Sequence, residues 1–183
     1  MMIYIQISPC CHHNCISENT RQNSMHDHQS DTSVPAGSDP LGDLTLADVL
    51  PHREGMLLVE EVIEVDSQHA VTRSTVSPTW PLQRSGGVLP LILVELAAQA
   101  AGVCNGWDRI RTQGIDSDQV GWLVAIKKAE FFLDILPHGA VITARAENTY
   151  NFENLREIDC SLTMAGQPAG RATLQLFQAR QRP

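Results

Sequence analysis

The sequence predicts an α+β domain in which an antiparallel sheet curls around one long helix. Three observations lead there. Residues 87–102 are apolar on nearly every side, so a helix over this stretch is one that is buried nearly all round. Strand patterns flank it, two before and at least four after, separated by short turn-rich segments. The later strands have no crossover helices between them, which excludes an all-parallel sheet.

Taken in order, Thr45-Leu46-Ala47-Asp48 reads as a short helical turn with Thr45 as its cap. Residues 57–65 and 69–76 are rich in β-branched side chains and form two strands, joined by a hairpin turn at Asp66-Ser67-Gln68. Residues 79–87 carry Pro81, Gly86 and Gly87 and read as a loop leading into the helix, with Pro90 near its first turn. The helix runs past Asn105 and frays before Gln113-Gly114. A polar linker over 114–119 precedes a strand over 121–132, which a bend and Pro137-His138-Gly139 break off. Alternation over 141–147 puts Ile142, Ala144 and Ala146 on one face. After a turn at 151–154, strands over 155–164 and 171–178 close the chain as a hairpin around Gly166-Gln167-Pro168.

The 183 residues hold one domain, over 43–180, preceded by a tail over 1–42 in which Ser, Asn, Gln, Asp, Pro and His dominate without periodicity. With 43% apolar residues the domain can bury a core. A net charge of −8 and no Lys/Arg cluster argue against nucleic-acid binding. No apolar run reaches the roughly 18 residues of a membrane span, and residues 2–7 are too short for a signal-peptide core, so a cytoplasmic protein is expected. Cys104 and Cys160 lie far apart in apolar contexts, as free buried thiols do. The tail crowds Cys10, Cys11, His12, His13 and Cys15 together, a spacing that matches no compact zinc module. An over-early start codon, with the true start at Met25 or later, accounts for this tail equally well. No metal and no cofactor are expected.

Two polar residues interrupt the apolar helix. Glu95 and Gln99 lie one turn apart on one face. A carboxyl in such a helix is costly unless it is paired, hydrogen-bonded or open to a cavity, and a cavity is where a carboxyl serves as acid or base. The competing reading is a glutamate satisfied by neighbouring backbone or facing water.

Three segments carry a family resemblance. Leu50-Pro51-His52-Arg53-Glu54-Gly55-Met56-Leu57-Leu58-Val59 resembles the Pro-His-Arg…Leu-Leu-Val-Asp opening of the 3-hydroxyacyl-acyl-carrier-protein dehydratases. Glu95-Leu96-Ala97-Ala98-Gln99-Ala100-Ala101-Gly102 is similar to their Glu-Ala-Leu-Ala-Gln-Ala-Ala-Gly helix. The stretch from Lys127 through Phe131 to Leu136-Pro137-His138-Gly139 resembles their Lys-x-x-Arg-Phe…Val-Pro-Gly-Asp strand and turn. The resemblance spans about residues 44–178 in the same order and lies nearest the divergent aryl-polyene-cluster (ApeP-like) branch. It implies a hotdog fold, a dimer by edge pairing, a thioester tunnel, and a hydro-lyase acting on acyl thioesters of acyl carrier protein in fatty-acid or polyketide-like biosynthesis. In that family a histidine in a Gly-His-Phe-Pro-Gly loop removes the C2 proton, and an acidic residue on the partner's helix helps expel the 3-hydroxyl. Glu95 matches the acid and Gln99 its supporting glutamine.

The chain departs from the pattern at two points. Pro81 stands where the family has its loop histidine, and residues 80–87 contain no histidine at all. Pro90, which has no N–H, stands where a glycine amide polarises the thioester carbonyl, although an amide from Leu89 or Leu91 can replace it. In the loop, Gln83, Arg84, Gly86 and Gly87 are the candidates for substrate contact. Three explanations follow. His52, His69 or His138 replaces the base, His52 being the best placed although a capping or packing role is its alternative. A composite site pairs Glu95 with a histidine-bearing homologue in a heterodimer rather than a homodimer. Or the chemistry is lost and a catalytically impaired partner subunit remains. A hotdog thioesterase, in which the helix carboxylate activates water, is the competing enzyme. Docking an acidic carrier would fall to Arg53, Lys127 or Lys128.

Overall fold

A computed structural model describes residues 39–117 and 121–178. The chain runs through α1 (Leu46–Val49), a 3-10 turn (Glu54–Met56), β1 (Glu61–Val65), β2 (His69–Thr75), β3 (Gln83–Arg84), β4 (Gly87–Val88) and α2 (Ile92–Gln113). It continues through β5 (Gly121–Phe131), β6 (Leu136–Pro137), β7 (Val141–Phe152), β8 (Leu155–Met164) and β9 (Gln167–Gln178). Six strands form one antiparallel sheet in the order β1-β2-β7-β8-β9-β5, and β3-β4-β6 form a small second sheet.

The alternation put Ile142, Ala144 and Ala146 on one face, and that face is the inner face of the sheet. Ile142, Ala144 and Ala146 of β7, Ile158, Cys160 and Leu162 of β8, and Ala172 and Leu174 of β9 are all buried. They pack with Leu93, Leu96, Ala97 and Ala100 of α2 in one continuous core. Small residues on both surfaces let the helix lie close to the sheet. The α+β architecture expected from the sequence, a long helix cupped by a curled antiparallel sheet, is therefore the one observed.

A second cluster holds the N-terminal segment on the far flank of α2. Val49 and Leu50 pack there with Val103, Cys104 and Ile110. The approach is close because α2 has no side chain at two points. A Cβ on Gly106 would lie 2.2 Å from the Val49 carbonyl oxygen, and one on Gly102 would lie 2.6 Å from Leu50 Cδ2. Arg53 then fixes the segment's course by donating to the carbonyls of Ala47, Leu50 and His52 at 3.0, 2.6 and 2.7 Å.

Several boundaries differ from the sequence reading, each for a physical reason. The helix begins at Ile92 rather than at residue 87, because Gly87 and Val88 pair as β4 with β3 and β6. An apolar run of that length fits a buried strand as well as a helix. The strand expected from residue 57 starts at Glu61, because the amides of Leu58 and Val59 donate to a glutamine side chain instead of a neighbouring strand. The loop over 79–87 contains the two-residue strands β3 and β4, too short for any periodicity. The strand expected over 141–147 extends to Phe152. The last strand starts at Gln167 rather than Arg171, and its register with β8 shifts where Pro168, lacking an N–H, enters the ladder. The cysteine- and histidine-rich stretch of residues 10–28 lies outside the described residues.

Candidate active site

Glu95 sits in the first turn of α2, where the helix dipole favours negative charge. Its neighbour one turn on, Gln99, is fully buried, and every polar atom of its amide is used. Gln99 Oε1 accepts from the amides of Leu58 and Val59 at 2.9 and 3.3 Å. Gln99 Nε2 donates to the Met56 carbonyl at 2.7 Å and to Glu95 Oε1 at 2.8 Å. A single amide thus holds residues 56–59 against the helix and orients the carboxyl.

The same carboxyl oxygen meets a second partner. His52 Nε2 lies 3.1 Å from Glu95 Oε1, the two side chains being 15% and 17% exposed. Burial pushes the Glu95 carboxyl upward, but the hydrogen bonds from His52 and Gln99 and the charge on His52 outweigh it together. The net shift is below the ordinary carboxylate value. Glu95 is therefore ionised near neutrality and can only accept, so the proton of the pair resides on His52 Nε2. His52 Nδ1 is buried with no hydrogen-bond partner among the described residues.

This pair opens onto a cavity of about 150 Å³. Leu50, Ala98, Leu123 and Leu176 give it apolar walls, and Asn105, Arg109, Trp122 and Arg156 line it as well. Arg156 donates to Asn105 Oδ1 at 2.6 Å and to Asp108 Oδ2 at 2.8 Å. Arg109 is buried, donating to Ser117 and, at 3.3 Å, to the Asp48 carbonyl.

The structure brings His52, Glu95 and Gln99 together, and these three were named from sequence. The other candidates lie elsewhere. Gln83, Arg84, Gly86 and Gly87 are not among the cavity-lining residues. Gln83 donates to the carbonyls of Ser77 and Trp80 at 3.1 and 2.8 Å and faces His138 Nε2 at 2.8 Å. Arg84 is exposed. A Cβ on Gly87 would fall 2.1 Å from the Leu136 carbonyl oxygen, so the glycine is what lets β4 and β6 close up. His69, a candidate base, is likewise not among the cavity-lining residues. It opens β2, with its ring nitrogens 3.0 Å from Asp66 and 3.3 Å from Glu64. His138 is exposed, as expected of a turn. Of the basic residues considered for carrier docking, Arg53 serves the backbone carbonyls, and Lys127 and Lys128 pair with Glu157 and Glu130 at 2.7 and 3.0 Å.

The sequence reading missed Asn105, Arg109, Trp122 and Arg156. Asn105 and Arg109 carried a usable signal, because they follow Glu95, Ala98 and Gly102 at helical spacing on one face. Arg156 and Trp122 reach the cavity through sheet pairing, which no local pattern announces. Burial pushes the thiols of Cys104 and Cys160 up to about 12, which leaves them unreactive. Among the described residues no cluster of His, Cys, Asp and Glu is fit to hold a metal ion, and no helix is long and apolar enough to cross a membrane.

Comparison with known proteins bears on this site. The structure titled "The Dehydratase Heterocomplex ApeI:P", from Xenorhabdus doucetiae, superposes with a TM-score of 0.68 at 25% identity, covering 75% of this chain and 93% of that one. A hypothetical thioesterase with coenzyme A from Streptococcus pneumoniae matches with a TM-score of 0.51 at 20% identity over 67% of this chain and 88% of that one. The Escherichia coli PaaI protein of the phenylacetic acid degradation operon matches with a TM-score of 0.50 at 17% identity over 64% and 81%. At their identities the last two show the fold alone, and that fold is the hotdog. No curated protein matches the chain. The ApeP-like family, described as ApeP dehydratase, matches residues 44–182, and so this chain belongs to the ApeP-like dehydratase family.

Proposed function

We propose that the chain is a subunit of a 3-hydroxyacyl-[acyl-carrier-protein] dehydratase of fatty-acid or aryl-polyene-like biosynthesis, acting on carrier-bound thioesters in the cytoplasm beside a histidine-bearing homologue. The observation that carries the reading is the Glu95 carboxylate opening onto a cavity, held by Gln99 and His52, in a chain whose 80–87 loop has no histidine. Family membership supports it, as does the dehydratase heterocomplex among the similar structures.

The reaction removes a proton from C2 and hydroxide from C3, forms the C2–C3 double bond and releases water. Two groups are needed, one to take the C2 proton and one to protonate the departing hydroxyl. Because Glu95 is ionised, it positions the 3-hydroxyl, held in turn by Gln99, and the proton delivered at C3 comes from Nε2 of His52 in its doubly protonated form, which is left as the neutral imidazole. His52 is thereby committed to the C3 side. The base at C2 then comes from the partner's loop, because Pro81 occupies that place here.

The test is to incubate 3-hydroxyacyl and acyl thioesters with the purified chain alone, with the homologue alone, and with both. Enoyl product is expected only, or far faster, from the mixture, and Glu95→Gln is expected to lower that rate by about a hundredfold or more. Dehydration by this chain alone would place the C2 base within this chain. Release of free acid would assign a thioesterase. Equal activity of the homologue with and without this chain would reduce the chain to a scaffold.

A further inference from the structure

The 80–87 loop has no histidine, yet the fold sets one against it. β6 pairs with β4, and the turn that follows β6 is tied down from both sides. The Gly139 amide donates to the Val76 carbonyl and the Val76 amide to the Ala140 carbonyl, both at 2.8 Å. His138 lies in this turn, exposed, with Nε2 2.8 Å from Gln83 Oε1.

Gln83 decides which ring nitrogen carries the proton. Its amide nitrogen gives both hydrogens to carbonyls, those of Ser77 and Trp80 at 3.1 and 2.8 Å. Turning the amide over would set its oxygen against two other oxygens, so Oε1 is the atom that faces His138. Oε1 can only accept. His138 Nε2 is therefore the donor, and Nδ1 of the neutral ring is left as the proton acceptor. No described residue holds Nδ1. The loop itself is held in a costly shape. Leu82, between Pro81 and Gln83, has a φ of 66°, a left-handed backbone that its side chain disfavours, and its carbonyl accepts from the Leu89 amide at 3.1 Å. Such outliers concentrate at functional sites.

The dehydratase reading above sets the homologue's loop against Glu95. Related chains joined about a two-fold axis touch reciprocally, so the same assembly sets this chain's 80–87 loop, and His138 with it, against the homologue's helix. We propose that His138 is the base of this second composite site. Its Nδ1 takes the C2 proton of a 3-hydroxyacyl thioester, the electron pair of that C–H bond becomes the C2–C3 double bond, and the C3–O bond breaks. The hydroxyl leaves as water with a proton from an acidic group on the homologue's helix. His138 then returns its proton to solvent, and the acidic group regains one. Gln83 is a positioning residue, because it keeps Nδ1 unprotonated. The proposal rests on the dehydratase reading, which supplies both partner and substrate.

To isolate the second site, the homologue is prepared with its loop histidine changed to alanine, which disables the site at Glu95. It is mixed with this chain and given 3-hydroxyacyl thioesters of acyl carrier protein, the activity of each protein alone being subtracted. Enoyl product is expected. His138→Ala is expected to lower its rate by about a hundredfold, and added imidazole to restore part of it, because the turn is exposed. His69→Ala is the control and should leave the rate unchanged, with thermal unfolding checking that each variant folds. In this chain alone, imidazole nitrogen NMR shifts at mildly alkaline pH should show His138 protonated at Nε2. Gln83→Met is expected to mix the two tautomers and to lower kcat several-fold with KM held.

Enoyl formation that His138→Ala leaves untouched would overturn the inference, as would a ring protonated at Nδ1 in the unmodified chain. Dehydration by the two unmodified proteins together, beside silence from the mixture lacking the homologue's loop histidine, would sink the second site and leave the dehydratase reading standing. No product from either mixture would sink both.

Discussion

At the residue scale, the pairing of His52 with Glu95 and the four bonds of Gln99 make one polar unit inside an apolar setting. Gln99→Leu keeps the volume but strands the amides of Leu58 and Val59 and the Met56 carbonyl. It is expected to cost about 3 kcal/mol in a denaturant titration. Glu95 has a second, thermodynamic signature. Its folded-state carboxyl lies below the ordinary value of about 4.3, so the unfolded chain binds more protons in the interval between the two. The stabilisation is fully present above that ordinary value and is lost as pH falls through the folded one. The wild-type chain should therefore lose stability more steeply than Glu95→Gln as pH drops below about 4.3, as read by unfolding midpoints along a pH series. The helix alone made Glu95 and Gln99 legible as an unusual pair. It did not reveal that His52 completes them, because that contact bridges distant parts of the chain and leaves no local spacing to detect.

At the element scale, the position of His52 depends on how closely residues 49–52 approach α2, and Gly102 and Gly106 set that distance. Gly106→Ala would drive a methyl into the Val49 carbonyl, an obstruction made of backbone that cannot rotate away. The expected cost is about 2 kcal/mol, together with a drop in kcat larger than the change in KM as His52 withdraws from Glu95. Gly55→Ala is the control, because open space surrounds Gly55 and stability should hold. The elements most legible in the sequence were those long enough to show a period, such as α2 and the alternating Ile142, Ala144 and Ala146 of β7. The small sheet of β3, β4 and β6 was not legible. Two-residue strands carry no periodicity, and their pairing depends on the Gly87 approach to Leu136, which only the assembled fold creates. The helix start was overextended for the same reason, since a buried strand and a buried helix turn look alike over five apolar residues.

For the whole molecule, the two edges of the large sheet differ. β1 is a short edge of only five residues and offers a partner little to pair with. β5 is an eleven-residue edge with Ile126 and Phe131 exposed, followed by the exposed Phe132. A partner subunit is expected to add to β5. Hydrogen exchange of the β5 amides should slow when the homologue is added, while β1 exchanges at its original rate. Unchanged exchange at β5 would place the partner elsewhere.

The cavity has the first residues of that strand, Gly121, Trp122 and Leu123, on one side and the segment carrying His52 on the other. The outer rim of the chamber is therefore also the seam available to a second chain, so assembly and admission of cargo share a doorway. Dilution that separates subunits should then quicken the escape of a bound acyl analogue, even though no residue that holds it has been altered.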